Sequence, residues 1–280
     1  VANVKIVTDS LADIPPAIAR ELDITQVPCV VRFGDHEFRD RVDLSAAEFY
    51  QRLVASPTLP TTSQPATGVF REIFENVARE TNEILAIHTI ASLSGIYNAS
   101  RIAAASMPNV RIELIDSKQV TMALGWLVIL AARAARAGQT LEEVRALVED
   151  AIPRVHVIGA LSTLEYAQRG GRLGKGAALI GTLLNVKPLI SIVNGEVVPV
   201  ENARSQKRAL ERLVEIVLGS GPIQEIAVIH AAGEDLAQKV KRLLAATLPA
   251  EQIVMTETGP VLGTHVGPNA VGIAWLTGKY

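Results

Sequence analysis

Short apolar runs that end in polar residues recur through the first half of this chain. They lie at 5–10, 84–89 and 110–115, the last followed by Asp116-Ser117. Their length and bounding residues predict strands. Between and after them apolar residues return at helical spacing, which predicts helices over 46–54, from near Pro65 to Arg79, and over 97–105, 120–137 and 141–151. Two of these open on a capping box, Ser45-Ala46-Ala47-Glu48 and Thr140-Leu141-Glu142-Glu143. In each, hydroxyl and carboxylate satisfy one another's helix-start amides. Strands alternating with helices predict a mostly parallel sheet covered by helices. Such sheets hold ligands beyond the carboxyl ends of their strands. The tips Thr8-Asp9-Ser10, Thr89-Ile90-Ala91-Ser92 and Asp116-Ser117 are therefore expected at a site.

The rhythm changes near Pro153. We expect an N-terminal α/β domain over 1–153 and a C-terminal α+β domain with a mixed sheet over 154–280. Strands are predicted at 155–161, 225–230, 252–256 and 271–275, with helices at 205–218 and 235–246. The runs 186–193 and 196–200 flank Asn194-Gly195, a favoured hairpin turn. Residues 164–176 read as one helical turn, a glycine stop and a basic, glycine-rich loop. The segment 259–268 carries five glycines or prolines around His265 and reads as a loop of fixed path.

Composition narrows the functional classes. Aromatic residues are only 4% of the chain, so an aliphatic core is expected. The net charge of −2 comes without a basic stripe and argues against nucleic-acid binding. A single cysteine, Cys29, excludes an internal disulfide, and its apolar setting reads as a buried small hydrophobe. The start of the chain has no basic stretch leading an apolar one, so no signal peptide is expected. The longest apolar run, within 122–132, is too short for a bilayer, and cytoplasmic residence is the expectation.

Candidate chemistry is sparse. The five histidines are not paired at metal-ligand spacing, so no metal site is expected. Neither a Gly-x-Ser-x-Gly elbow nor a phosphate loop is present. Ser94 assembled with a distant His265 leaves an acyl hydrolase open. The 170–176 loop is either an anion receptor or a solvated turn. Three polar segments stand out: 60–67 before a helix, the strand-to-helix turn 91–98, and 259–268. Hydroxyls ahead of a helix either cap it or join its free amides in holding a carboxylate. Together the segments offer hydroxyls, amides, an imidazole and a guanidinium, which suits one carboxylate or phosphate.

In this order these segments resemble the DegV family of fatty-acid-binding proteins. The matching pieces are Val7-Thr8-Asp9-Ser10, Thr61-Thr62-Ser63-Gln64-Pro65, Leu93-Ser94-Gly95-Ile96-Tyr97, Asp116-Ser117, Leu164-Glu165-Tyr166 with Gly170-Gly171-Arg172, Lys187-Pro188-Leu189-Ile190 with Gly195, and the segment 259–268. The resemblance implies a two-domain, non-catalytic protein that needs no cofactor and encloses a long-chain fatty acid such as palmitate, stearate or oleate. It implies a carboxylate held by Thr62, Ser94, Gly95 and His265, with Ser63 and Arg172 near the head group or at the point of handover. It further implies a bacterial role in phospholipid metabolism, presenting the acid to a separate ATP-dependent fatty-acid kinase, with transient contact at a membrane surface. A lipid sensor or carrier without a kinase partner is the alternative. Helices at 122–137 and 177–184 are candidate tunnel linings. The chain departs from the family's usual hydroxyls at Ala66, Ile90, Ala91 and Ile96.

Overall fold

A computed structural model of the chain describes residues 4–174 and 186–278. The first half begins with β1 (Val4–Asp9), α1 (Pro16–Glu21), β2 (Ile24–Val27), β3 (Val30–Phe33) and β4 (His36–Arg39). It continues with α2 (Ala46–Ala55), β5 (Thr61–Ser63), α3 (Thr67–Val77), β6 (Glu83–His88), α4 (Ile96–Ala105) and β7 (Arg111–Asp116). A four-stranded sheet runs in the order β2-β1-β6-β7, all parallel as expected. A small antiparallel sheet, β4-β3-β5, stands beside it.

Strands β2 to β5 were not anticipated. The apolar run 27–31 contains Pro28, which has no amide to give to a ladder. The run splits there into β2 of one sheet and β3 of the other. The residues of β5 pair with β3 through the backbone, and their hydroxyls do not cap α3, whose N-cap is Ala66 without a side-chain bond.

The long helix α5 (Thr121–Arg136) and α6 (Leu141–Ala151) follow. α5 is apolar nearly all round because it is buried nearly all round. Its core cluster takes in Ile6 and Leu85 of the parallel sheet together with Val157, Ile229 and Leu276 of the second sheet. Trp126 Nε1 donates to the Ala274 carbonyl across that contact, 3.2 Å away.

The second half comprises β8 (Val155–Ala160), α7 (Glu165–Arg169), β9 (Lys187–Val193), β10 (Glu196–Ala203), α8 (Gln206–Leu218) and β11 (Ile223–Ala231). Then come α9 (Glu234–Leu244), β12 (Ile253–Glu257), α10 (Pro260–Val266) and β13 (Ala270–Thr277). Its six strands run in the order β10-β9-β8-β13-β11-β12. β11 and β12 are parallel, and the other neighbours among the described residues are antiparallel. The segment expected as a loop contains α10, a short helix with Pro260 in its first turn and Gly267 (φ +70°) ending it.

The aliphatic expectation holds around α5 but not everywhere. All five phenylalanines gather in one cluster with Tyr50, between α2, α3 and the small sheet. Among the described residues no helix is long and apolar enough to cross a membrane.

Candidate functional site

A cavity lies between the two halves and takes its walls from both. At one end stand Thr62, Ser63 and Gln64 of β5 and its exit, Ser94 and Gly95 ahead of α4, Arg172 after α7, and His265 of α10. All six side-chain or backbone positions expected from sequence are thus brought together: Thr62, Ser63, Ser94, Gly95, Arg172 and His265. The rest of the lining is mostly aliphatic, with Ile90, Val157, Ile190, Ile192, Val197 and Ile229, and also includes Thr89, Thr121, Ser191, His230 and Thr258.

The polar end is built from short-range necessities. Ser94 Oγ accepts from the Ile96 amide at 3.4 Å, at the mouth of α4. The N-cap of that helix, Gly95, has no side chain to cap it and lines the cavity with Ile96, so the positive end of the helix dipole lies at the wall. A Cβ at Gly95 would lie 2.8 Å from the end of the Gln64 side chain, which packs over that turn and would have to move aside. His265 rests on Gly170, where a Cβ would stand 2.3 Å from the imidazole Nδ1. The first glycine of the Gly170-Gly171-Arg172 piece is therefore a seat for the histidine ring. Arg172 donates to the Gly170 carbonyl at 2.7 Å.

His265 Nε2 lies 3.0 Å from Thr62 Oγ1, and Nδ1 is buried without a hydrogen-bond partner. Burial, with the charge of Arg172 nearby, pulls the imidazole pKa down to about 4, so the ring is neutral near pH 7. We assign the proton to Nε2, because a proton on Nδ1 would leave a donor buried and unpaired against Gly170. Nε2–H then donates to Thr62 Oγ1, and the Thr62 hydroxyl hydrogen is free to point at a ligand. His265 acts through Thr62 in this arrangement. No hydrogen bond joins Ser94 to His265 among the described residues, so the nucleophile and base that a hydrolase requires are not paired.

Several expectations need correcting. The strand tips Asp9, Ser10, Asp116 and Ser117 do not line the cavity. Asp9 is consumed by His88 Nδ1 (3.1 Å) and by the Leu11 and Thr89 amides. Asp116 ties the Ala91 and Lys118 amides, shaping the loop that leads to Ser94. Of 122–137 no residue lines the cavity, since α5 fills the core and offers only its first residue, Thr121, with Val120 before it. The expected 177–184 helix lies outside the described residues. Gln64 and Cys29 line the cavity and were not singled out for it. Cys29 is fully buried, as expected, and burial pushes its thiol pKa up, which suits an inert wall residue.

The site also rests on a buried charge cluster that no motif announced. Asp13 accepts from Arg41 (2.7 Å), Thr121 Oγ1 (2.7 Å), the Gly259 amide (2.9 Å) and the Thr258 hydroxyl. Arg41 also donates to the Glu257 carbonyl at 2.6 Å, and Tyr50 to the Thr258 carbonyl at 3.2 Å. These bonds fix the start of α10, the helix that carries His265. Among the described residues no group of three or more His, Cys, Asp or Glu side chains is placed to hold a metal ion.

Comparison with known proteins places this geometry among relatives. The family model described as "Uncharacterised protein, DegV family" matches residues 3–278. A fatty-acid-binding DegV family protein from Thermus thermophilus superposes with a TM-score of 0.92 at 29% identity, covering 98% of this chain and 99% of that one. DegV of Bacillus subtilis, described as a fatty acid binding protein, gives 0.90 at 30% identity over 99% and 100% of the two chains. A stearic acid-binding protein from Eubacterium ventriosum gives 0.87 at 26% identity, covering 98% of each.

Proposed function

Because the chain belongs to the DegV family, we propose that it binds one long-chain fatty acid, its carboxylate at the Thr62–Ser94–His265 end and its tail along the aliphatic walls. The observation that carries this reading is the make-up of the cavity wall: Thr62, Ser94, Gly95 and His265 stand in a lining whose remaining residues are mostly aliphatic. Burying a sixteen-carbon tail is worth on the order of 10 kcal/mol before ordering costs. A carboxylate cannot be buried bare, and the Thr62 and Ser94 hydroxyls with the Gly95 amide supply donors without a second charge. The neutrality of His265 fits this role, because it sets the Thr62 hydroxyl and needs no counter-ion.

The protein performs no chemistry in this reading. It offers the head group to a separate ATP-using fatty-acid kinase, and Arg172, at the cavity wall with Ser63, serves that handover. Supply of ATP puts such a partnership in the cytoplasm, with brief contact at a membrane surface to load or unload the lipid. Palmitate, stearate and oleate are the candidate ligands.

Native and denaturing mass spectra of protein purified without added lipid test the binding. A fatty-acid-sized mass present only in the native spectrum is the expected result. A protein that is bare as purified and takes up none of the three acids on titration would overturn the reading. For the handover, Arg172→Ala is expected to keep fatty-acid affinity while losing acyl-phosphate formation with a kinase partner. Equal loss of both would refute the division.

A further inference from the structure

One wall of the cavity is the six-stranded sheet, and its side chains fall in cross-strand rows. One row reads Ile190 on β9, Gly159 on β8, Gly272 on β13 and Ile229 on β11, each opposite the next in register. All four line the cavity. The facing is set by the pleat: Val157, two residues before Gly159, and Ile229 pack toward α5, whereas Ile158 and Val271 pack toward α8 and α9.

Two adjacent glycines in the middle of a sheet weaken it, because they pack nothing and lose the most backbone freedom. Neither has the left-handed backbone that would call for glycine. Gly272 has a local reason, since a Cβ would come within 2.9 Å of the Ile158 carbonyl oxygen. Gly159 has no such reason. A Cβ there would meet the Val271 carbonyl oxygen at 3.8 Å and otherwise open space. The missing side chain is space given to the cavity at one level. Ile190 and Ile229 narrow that level from the sides, and Val157 narrows the wall one pleat deeper.

A straight saturated chain has uniform width and gains nothing from a local recess, where it would forfeit contacts. A cis double bond throws the chain sideways at one level and fills such a recess. We propose that Gly159 makes this cavity selective for an acyl chain bent by a cis double bond over a straight chain of the same length. The inference rests on the fatty-acid reading above and adds the class of chain.

Competition between oleate and stearate, equal in carbon number, tests it on the wild type, Gly159→Ala and Gly159→Val. The wild type should prefer oleate by about tenfold, the discrimination that one well-placed methylene-sized feature supports. Gly159→Val should lose or reverse that preference while holding stearate within a few-fold of the wild type, and Gly159→Ala should fall between. Retained stearate binding reports that the cavity is intact. If Gly159→Val fails to fold, Gly159→Ala decides by its reduced preference. A wild type that does not prefer oleate, or variants that keep the wild-type preference, would overturn the proposal while leaving fatty-acid binding standing. A wild type that binds neither acid would remove the underlying reading, and the proposal with it.

Discussion

The two ends of α10 are held by opposite means, although the helix is only seven residues long. At its start a buried carboxylate, Asp13, takes four hydrogen bonds, and Asp40 and Arg41 crowd against Gly259. At its end a neutral histidine makes one hydrogen bond and leaves a nitrogen unpaired. The Asp13 carboxylate is fully hydrogen-bonded and fixes geometry, because removing any partner strands the others away from water, even though Arg41 Nε and Asp40 Oδ1 beside it are buried without partners. A neutral pair with one hydroxyl hydrogen to spare fixes little by itself and keeps its capacity for a ligand. The first end is suited to stability and the second to binding.

The largest expected effect tests the anchored end. Asp13→Ala leaves Arg41 without its carboxylate and the Gly259 amide and Thr258 hydroxyl without their acceptor. Breaking a buried pair in this way costs about 3–5 kcal/mol. Urea unfolding should show that loss, with Asp13→Asn milder because the amide oxygen still accepts. A cost below about 1 kcal/mol for Asp13→Ala would mean that the start of α10 is held by packing and not by charge.

The working end should respond in affinity more than in stability. Thr62→Val removes a hydroxyl aimed at a carboxylate, a bond to a charged group worth about 1.5–3 kcal/mol. Fatty-acid affinity should fall by one to two orders of magnitude, a larger change than the unfolding free energy should show. His265→Ala should weaken binding by less, since Thr62 keeps its hydroxyl and loses only its orientation. The double variant should bind no worse than Thr62→Val. Additive losses would show that His265 meets the carboxylate directly.

The same contrast explains what could be read from the sequence. Ser45 and Thr140 announced their helices because a capping box is local, and both boxes form. The parallel strands β1, β6 and β7 were legible from apolar runs of six residues, whereas β2, at four residues, was not. β3, β4 and β5, at three or four residues, are too short to show a period, and Pro28 hid the switch of sheets. α10 was masked by Gly259, Pro260, Gly263 and Gly267, poor helix formers, although proline at the start and glycine past the end are themselves helix punctuation. The hydroxyls and His265 were legible as chemistry. Asp13 was not, because its partners lie up to 246 positions away and no spacing in the chain foretells them. Asp9 and Asp116 misled for the opposite reason: they sit where a ligand site belongs, yet their carboxylates are spent on backbone amides and, for Asp9, on the His88 ring.

The response to pH separates the two ends by sign and not by size. Burial raises the Asp40 pKa from 3.8 to about 7, against the pull of Arg41 and the Ser10 hydroxyl. The folded state therefore keeps a proton that the unfolded chain releases between those values, and rising pH weakens the fold across that window. His265 runs the other way. Its pKa falls from 6.5 to about 4, so the unfolded chain takes up a proton first, and falling pH weakens the fold between 6.5 and 4. Each group contributes at most about 1.4 kcal/mol per pH unit, and between pH 4 and 6.5 the two slopes oppose. Measured as differences from the wild type, so that other titrating groups cancel, Asp40→Asn should gain relative stability as pH rises from 4 to 7. His265→Ala should lose it as pH rises from 4 to 6.5 and then level off. Slopes of the same sign in both variants would mean that the two ends of α10 are not electrostatically distinct, and the contrast between anchor and binding end would then rest on hydrogen-bond geometry alone.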